Sequence, residues 1–311
     1  MTTEHAQDAR NNIIGVAMYL AAAFLFALNG VVAKAALNVG LDPAHLTQLR
    51  NGGAAVLLVL YVALFRRSGF RVKRGEWWFL ALYGVVAFTL VQFLYFVTIS
   101  RLPVGIGTLL AFVAPVVVAL YLKFFRGVAV GARIWLGIGL TLLGLALVAQ
   151  VWQGMTLDPI GVMAGFALAF ALSTYWLLGE RGQRERDPVS LTMWGFIFAT
   201  AAWAVIMPWW HFPVDIMATP TEPLISGGPA FPVWVLMAWG IVMGTIVPFL
   251  LVLGSLGRIG AQRAGIVGTT EPLWAGLIAL ALLGETFAPV QGIGGLIVLA
   301  GVLVAETARE N

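Results

Sequence analysis

The sequence predicts an all-α polytopic membrane protein: ten transmembrane helices forming two inverted five-helix repeats, with N- and C-termini in the cytoplasm. Three observations predict it: the composition, the spacing of apolar runs with their basic borders, and an internal repetition. Of 311 residues, 60% are hydrophobic and only 10% charged, with a mean hydropathy of +0.94. A soluble domain carries about 25% charged residues, so eighteen Lys and Arg with fourteen Asp and Glu cannot form a solvated skin. This excludes an ordinary cytosolic enzyme, a disordered chain and a fibre, and makes lipid the solvent for most of the surface. A span needs about 20 apolar residues, and ten spans with short loops account for the whole length.

The apolar runs break at polar or Gly/Pro positions into spans at about 12–37, 44–65, 76–99, 103–124, 131–151, 160–180, 188–210, 231–256, 260–284 and 287–306. Residues 1–11 read as a polar cytoplasmic tail without a secretory cleavage site, and 307–311 as a second tail. Basic residues fall on one side. Arg10, the cluster Arg66–Arg74, Lys123, Arg126, Arg133, Arg181, Arg184, Arg186, Arg258, Arg263 and Arg309 comprise fifteen of the eighteen. The alternate loops hold Asp42, Asp158, Asp215, Glu222 and Glu285, with Arg101 their single cation. Positive-inside bias then puts both termini in the cytoplasm. It also explains the sequence pI of about 9.7 without nucleic acid.

The two halves, 12–151 and 160–306, repeat each other. Asp42-Pro43 with Leu46-Thr47 recurs as Asp187-Pro188 with Leu191-Thr192, offset 145. Ile14-Gly15-Val16 recurs as Ile160-Gly161-Val162, offset 146; Trp78 and Gly84 recur as Trp234 and Gly240, offset 156. Pro115, Gly127, Gly137 and Gly144 recur as Pro272, Gly284, Gly294 and Gly301, offset 157. Their order and the slow drift of the offset argue for duplication. Five spans per copy is odd, so the second copy enters from the opposite side. Two such halves can rock about a site near the bilayer midplane, an organisation found in secondary transporters.

The stretch Thr269-Thr270-Glu271-Pro272-Leu273-Trp274-Ala275, Leu283-Gly284-Glu285 and the Gly-rich run Gln291-Gly292-Ile293-Gly294-Gly295 resembles the signature of EamA-type transporters of the drug/metabolite transporter superfamily. The resemblance covers the whole chain and implies a multi-pass protein of the bacterial inner membrane, similar to exporters of aromatic amino acids and related metabolites. The first half departs from the pattern, with Ala114 before Pro115 and Val128 after Gly127. Whatever Glu271 and Glu285 do is done in one half only.

Candidate residues follow from polarity at depth. Glu271 lies mid-span, where a charge costs roughly 2.5–3.5 kcal/mol on insertion scales, so it must face protein or a wet cavity. It is read as a contact for a substrate ammonium, a proton-coupling carboxylate, or a tether to a neighbouring helix. Asn29, Gln92, Thr269 and Thr270 are further polar candidates, with helix–helix hydrogen bonding as the alternative. Tyr83, Tyr95, Phe112, Tyr175 and Trp239 are aromatic candidates for stacking on a flat or cationic solute. Pro115 and Pro272, with Gly268, are hinge candidates or static bends. Lys34, Arg50 and Arg101 are outer-side charges, read as snorkelling to the interface, pairing with an outer acid, attracting a substrate carboxylate or, for Arg101, gating.

The chain has no Cys, no GxxxxGK[ST] and no HExxH, and none of its three His lies mid-span. Disulfides, a P-loop ATPase and metal or cofactor chemistry are therefore not expected. The expected partners are a small solute, membrane lipid and, if transport is coupled, protons, handled by a monomer. Export of amino acids by alternating access is the leading reading. Efflux of drug-like cations or nucleobases is the alternative, and a membrane-embedded lipid enzyme lacks the clustered acids or histidines it would need.

Overall fold

The computed structural model describes residues 2–114, 116–117, 124, 131–150, 157–224 and 228–307. Within them the chain forms α1 (Thr2–Asn38), α2 (Pro43–Phe65), α3 (Trp77–Arg101), α4 (Val104–Ala111), α5 (Ala132–Ala149), α6 (Pro159–Gln183) and α7 (Pro188–Ile206). The chain continues as α8 (Val233–Ile241, Val242–Ile246 and Val247–Gly268), α9 (Glu271–Leu283) and α10 (Pro289–Thr307). Six of these are long and apolar enough to cross a membrane; α5, α9 and α10 are shorter apolar helices. α1 runs back through the expected polar tail to Thr2, since residues 2–12 contain neither Gly nor Pro to stop it.

Helix starts follow from sequence. Asp42, Asp158 and Asp187 are N-caps, each followed by Pro at the first helical position, where its missing N–H costs nothing. The Asp42 and Asp158 carboxylates each accept one backbone N–H at 2.7 Å, from Ala44 and Gly161. Asp187 accepts two, from Val189 and Ser190, at 3.1 Å.

α8 pairs antiparallel with α1. Gly244 meets Asn29, Gly254 meets Met18, and Gly15 meets Ile259. A straight helix would carry Gly268 about 13 Å beyond Ile259, alongside the tail portion of α1. Gly268 instead sits against Tyr19, one turn back along α1 from Gly15. The chain therefore departs from a straight path between Ile259 and Gly268, close to the expected boundary between spans eight and nine.

Three irregularities recur at the repeat's own offsets. α3 contains a π-helical turn over Gly84–Leu90 and α8 one over Val242–Ile246, so Thr89 matches Thr245 at offset 156. α4 gives way to a turn at Phe112–Val113, and the helix before α9 does the same at Thr269–Thr270, offset 157. α5 and α10 cross antiparallel on small residues: Gly144 lies on Gly294, and Gly301 on Gly137. The repeat equates Gly137 with Gly294 and Gly144 with Gly301, so exchanging the two halves maps this crossing onto itself. Gly15 against Ile259 and Gly161 against Leu102 are related in the same way.

The segment between α7 and α8 folds over the start of α2. The Trp209 ring occupies the space beside Gly52, the Gln48 amide donates to the Met207 carbonyl at 2.6 Å, and His45 meets Phe212 edge-on.

Candidate functional site

A cavity of about 110 Å³ lies among α1, α2, α3, α4, α6, α8 and α9. Its wall is rich in aromatic rings, with Tyr19, Tyr95, Phe112, Tyr175, Trp176 and Phe249 prominent, and its polar groups are few: Asn29, Arg50, Gln92, Thr108 and Glu271. An apolar pocket with a small number of placed polar groups is the usual form of a small-molecule site.

Glu271 reaches the cavity because of the break before Pro272. Proline has no N–H and disfavours helical backbone at the residue before it, and the chain turns at Thr269–Thr270 before α9 starts with Glu271 in its first turn. The positive end of the α9 dipole therefore lies at this carboxylate. Among the described residues nothing forms an ion pair or hydrogen bond with it, while the buried rings of Tyr19 and Tyr95 lie within its electrostatic reach.

Arg50 departs from the outer-side expectation. It is 2% exposed, and its guanidinium points into the protein, 5.0 Å over the Phe96 ring. Nε donates to the Thr245 hydroxyl at 2.9 Å, Nη1 to Asn29 Oδ1 at 2.6 Å, and Nη2 to the Gly244 carbonyl at 2.6 Å and to the Thr245 hydroxyl. Helical continuity would bond the Gly244 carbonyl to the N–H four residues on, but that residue is Pro248. Proline thus frees an acceptor beside the π-turn, and Arg50 takes it. The neighbouring Asn51 donates to the Phe88 carbonyl in the other π-turn at 3.1 Å and accepts from Gln92 at 2.9 Å. Two consecutive residues of α2 thereby hold the two π-turns that the repeat equates. π-turns inside α-helices often mark functional sites.

Of the sequence-derived candidates, the cavity wall contains Glu271, Asn29, Gln92, Tyr95, Phe112 and Tyr175. Tyr83, Trp239, Thr269 and Thr270 lie off it. Tyr83 is fully buried, edge-on to Phe88, and Trp239 packs against the core of α1, α2 and α9. Thr269 is buried at the break, and the Thr270 hydroxyl bonds back to the Val267 carbonyl at 2.8 Å. Gly268 makes room for Tyr19 and Phe112. Pro272 faces away, lining a separate apolar groove with Gly276, Phe287 and Gly295. Pro115 lies outside the described residues. Tyr19, Thr108, Phe249 and Pro248 were not singled out by sequence. Pro248 alone carried a readable signal, a mid-span proline four residues after a glycine.

The remaining outer-side charges are engaged in structure. The Lys34 ammonium donates to the carbonyls of Ile99 and Leu102 at the end of α3. Glu285 accepts the Val104 N–H at 2.8 Å, satisfying the start of α4. Burial pushes the Glu285 carboxyl above the ordinary range, and the Val104 N–H and the Lys34 charge draw it partly back. Arg101 pairs with Asp158 at 3.5 Å, half in solvent. On the opposite, basic side, Arg186 and Glu76 pair at 2.7 Å with side chains only 9% and 13% exposed. Arg186 also bonds Ser190 and the Arg71 carbonyl at 2.8 and 2.6 Å.

Known proteins bear on this arrangement. The profile described as "EamA-like transporter family" matches residues 13–150 and again 159–307. An uncharacterized transporter of Archaeoglobus fulgidus is 29% identical over 212 residues, covering 68% of this chain and 70% of that protein. The inner membrane transporter YicL of Salmonella typhimurium is 24% identical and covers 93% and 94% of the two chains. The threonine/homoserine exporter RhtA of the same species is 24% identical and covers 91% and 88%. One crystal structure superposes with a TM-score of 0.60 at 19% identity, over 97% of this chain and 99% of that one, a likeness of fold. The chain is a multi-pass membrane protein and belongs to the EamA-like transporter family.

Proposed function

We propose that the protein is a secondary transporter that exports small metabolites across the bacterial inner membrane, neutral amino acids with aromatic side chains foremost. The observation that carries this reading is the central cavity. Both halves of the chain build it, and it holds an unpaired carboxylate at the start of a broken helix. Broken helices around a shared site are how transporters present backbone and charge to a solute in mid-bilayer. The aromatic wall suits a flat side chain, and the relatedness to a threonine/homoserine exporter supports amino acid export.

In this reading ten spans form two inverted repeats with cytoplasmic termini. The self-mapping crossing of α5 and α10 and the paired π-turns support the inversion. The halves rock about the cavity, exposing it to either side in turn. The turns before Pro115 and Pro272 are the points where α4 and α9 bend. Glu271 is either the contact for the solute's ammonium or the carrier of a coupled proton.

A second reading, efflux of drug-like cations, is favoured by the unpaired Glu271 alone. Counterflow in proteoliposomes separates the two, using labelled amino acids and organic cations with and without a pH gradient. Amino acid exchange that Glu271→Gln lowers at least tenfold is the expected result. Exchange of no solute contradicts the transporter reading, and full exchange with an intact pH response in Glu271→Gln removes the carboxylate from it.

A further inference from the structure

A guanidinium and a carboxyl group face one cavity without touching each other. Arginine stays protonated in proteins, and burying its charge is costly unless it is compensated. Every partner of Arg50 is neutral: an amide oxygen, a hydroxyl and a backbone carbonyl. Among the described residues no carboxylate lies within ion-pair distance of it. These bonds use four of its five N–H groups and leave one on Nη1. Glu271, in the same wall, has neither an ion pair nor a hydrogen bond among the described residues. Gln92, 6% exposed, gives its amide N–H to Asn51 and keeps an Oε1 with no partner. The cavity therefore offers a guanidinium at one pole, a carboxyl group at another and a spare buried acceptor.

Resting on the transporter reading above, we propose that Arg50 and Glu271 are the two poles of a zwitterion site. Arg50 receives the solute's carboxylate through its free Nη1–H, and Glu271 receives the ammonium, with Gln92 Oε1 as a further acceptor. A solute carrying both groups neutralises both poles. One carrying a single group leaves the other pole buried without a counter-charge, the condition that makes a polar site discriminate by orders of magnitude rather than severalfold. Arg50 is then the residue that confines the cavity to amino acids and rejects plain amines. It also ties solute arrival to the π-turn of α8, because the same guanidinium holds Asn29 and the Gly244 carbonyl.

Three probes with one side chain test this in the unmodified protein: phenylalanine, phenethylamine and 3-phenylpropionate. Each is offered in proteoliposomes preloaded with whichever amino acid the counterflow panel shows to exchange best. Phenylalanine is expected to exchange at least tenfold faster than the amine and the acid. Phenethylamine matching phenylalanine overturns the role of Arg50, and phenylpropionate matching it overturns that of Glu271. If nothing in the panel exchanges, the transporter reading fails instead, and the outcomes stay distinct. Arg50→Lys adds a second arm. It keeps the charge but not the fork, and it is expected to exchange phenylalanine at least tenfold more slowly with its melting temperature retained. Full exchange by Arg50→Lys contradicts the proposal. Where the variant does not fold, the three-probe comparison in the unmodified protein decides alone.

Discussion

Gly144 and Gly294 press backbone to backbone: a Cβ on Gly144 would lie 2.6 Å from the Gly294 carbonyl oxygen, and one on Gly294 would lie 2.7 Å from that of Gly144. No side chain can yield there, because the obstacles are main chain. In lipid, where apolar burial gives no drive between helices, close approach through small residues is a principal source of association. Gly144→Ala is therefore expected to cost about 1–3 kcal/mol, the range for overpacking. Gly139 on the same helix, whose Cβ would meet nothing within 4 Å, serves as the control. Thermal unfolding in detergent is expected to show a lower midpoint for Gly144→Ala and little change for Gly139→Ala. Equal midpoints contradict the crossing.

The Arg186–Glu76 pair joins the α2–α3 segment to the start of α7. Partial burial raises the Glu76 carboxyl, but the hydrogen bond from Arg186, the Lys73 N–H and the two nearby positive charges outweigh it and hold the carboxyl below the ordinary 4.5. A carboxylate depressed in the folded state contributes stability that is complete above its unfolded value and is lost as pH falls through the folded one. Glu76→Gln is expected to cost roughly 1 kcal/mol at neutral pH. It is also expected to flatten the loss of stability below pH 4.5. Melting curves from pH 3 to pH 7 check both, and parallel profiles for the two proteins contradict the assignment.

Pro248 supplies the acceptor that Arg50 uses. Pro248→Ala restores the N–H for the Gly244 carbonyl and closes the π-turn into ordinary helix. Losing a hydrogen bond to a charged group costs about 1.5 kcal/mol, or roughly tenfold in rate. Amino acid counterflow is expected to fall by about that factor while the variant folds normally. Unchanged counterflow makes the π-turn a static irregularity.

Much of this architecture was legible in the sequence because lipid punishes ambiguity. A span must be apolar for its full length, and the few charges must lie at its ends or have a reason to be elsewhere. Asp-Pro pairs stand at three helix starts, and the paired π-turns fall at the repeat's own offset. The site was legible only in part. Glu271, Asn29 and Gln92 stood out as polar groups at depth. For Arg50 the sequence offered snorkelling, an outer ion pair or attraction of a substrate carboxylate, and its burial removes the first. Only folding brings the Gly244 carbonyl and the Thr245 hydroxyl, 194 and 195 residues away, to receive it. Tyr83 and Tyr175 are the same residue type and pack in one core cluster, yet only Tyr175 also faces the cavity. That difference is set by helix rotation, which composition does not encode. Pro272 marked the right break but faces the groove, while Glu271 beside it faces the cavity.

The central claim is that the transported solute occupies this cavity. The protein contains no cysteine, so Ala111→Cys, a small residue 5% exposed on the cavity wall, supplies a unique thiol. The direct measurement is its labelling rate with a membrane-permeant maleimide, with and without the solute that exchanges best in counterflow. The account predicts at least fivefold slower labelling with saturating solute and no protection by a solute that does not exchange. Equal labelling rates with and without an actively exchanging solute would contradict it.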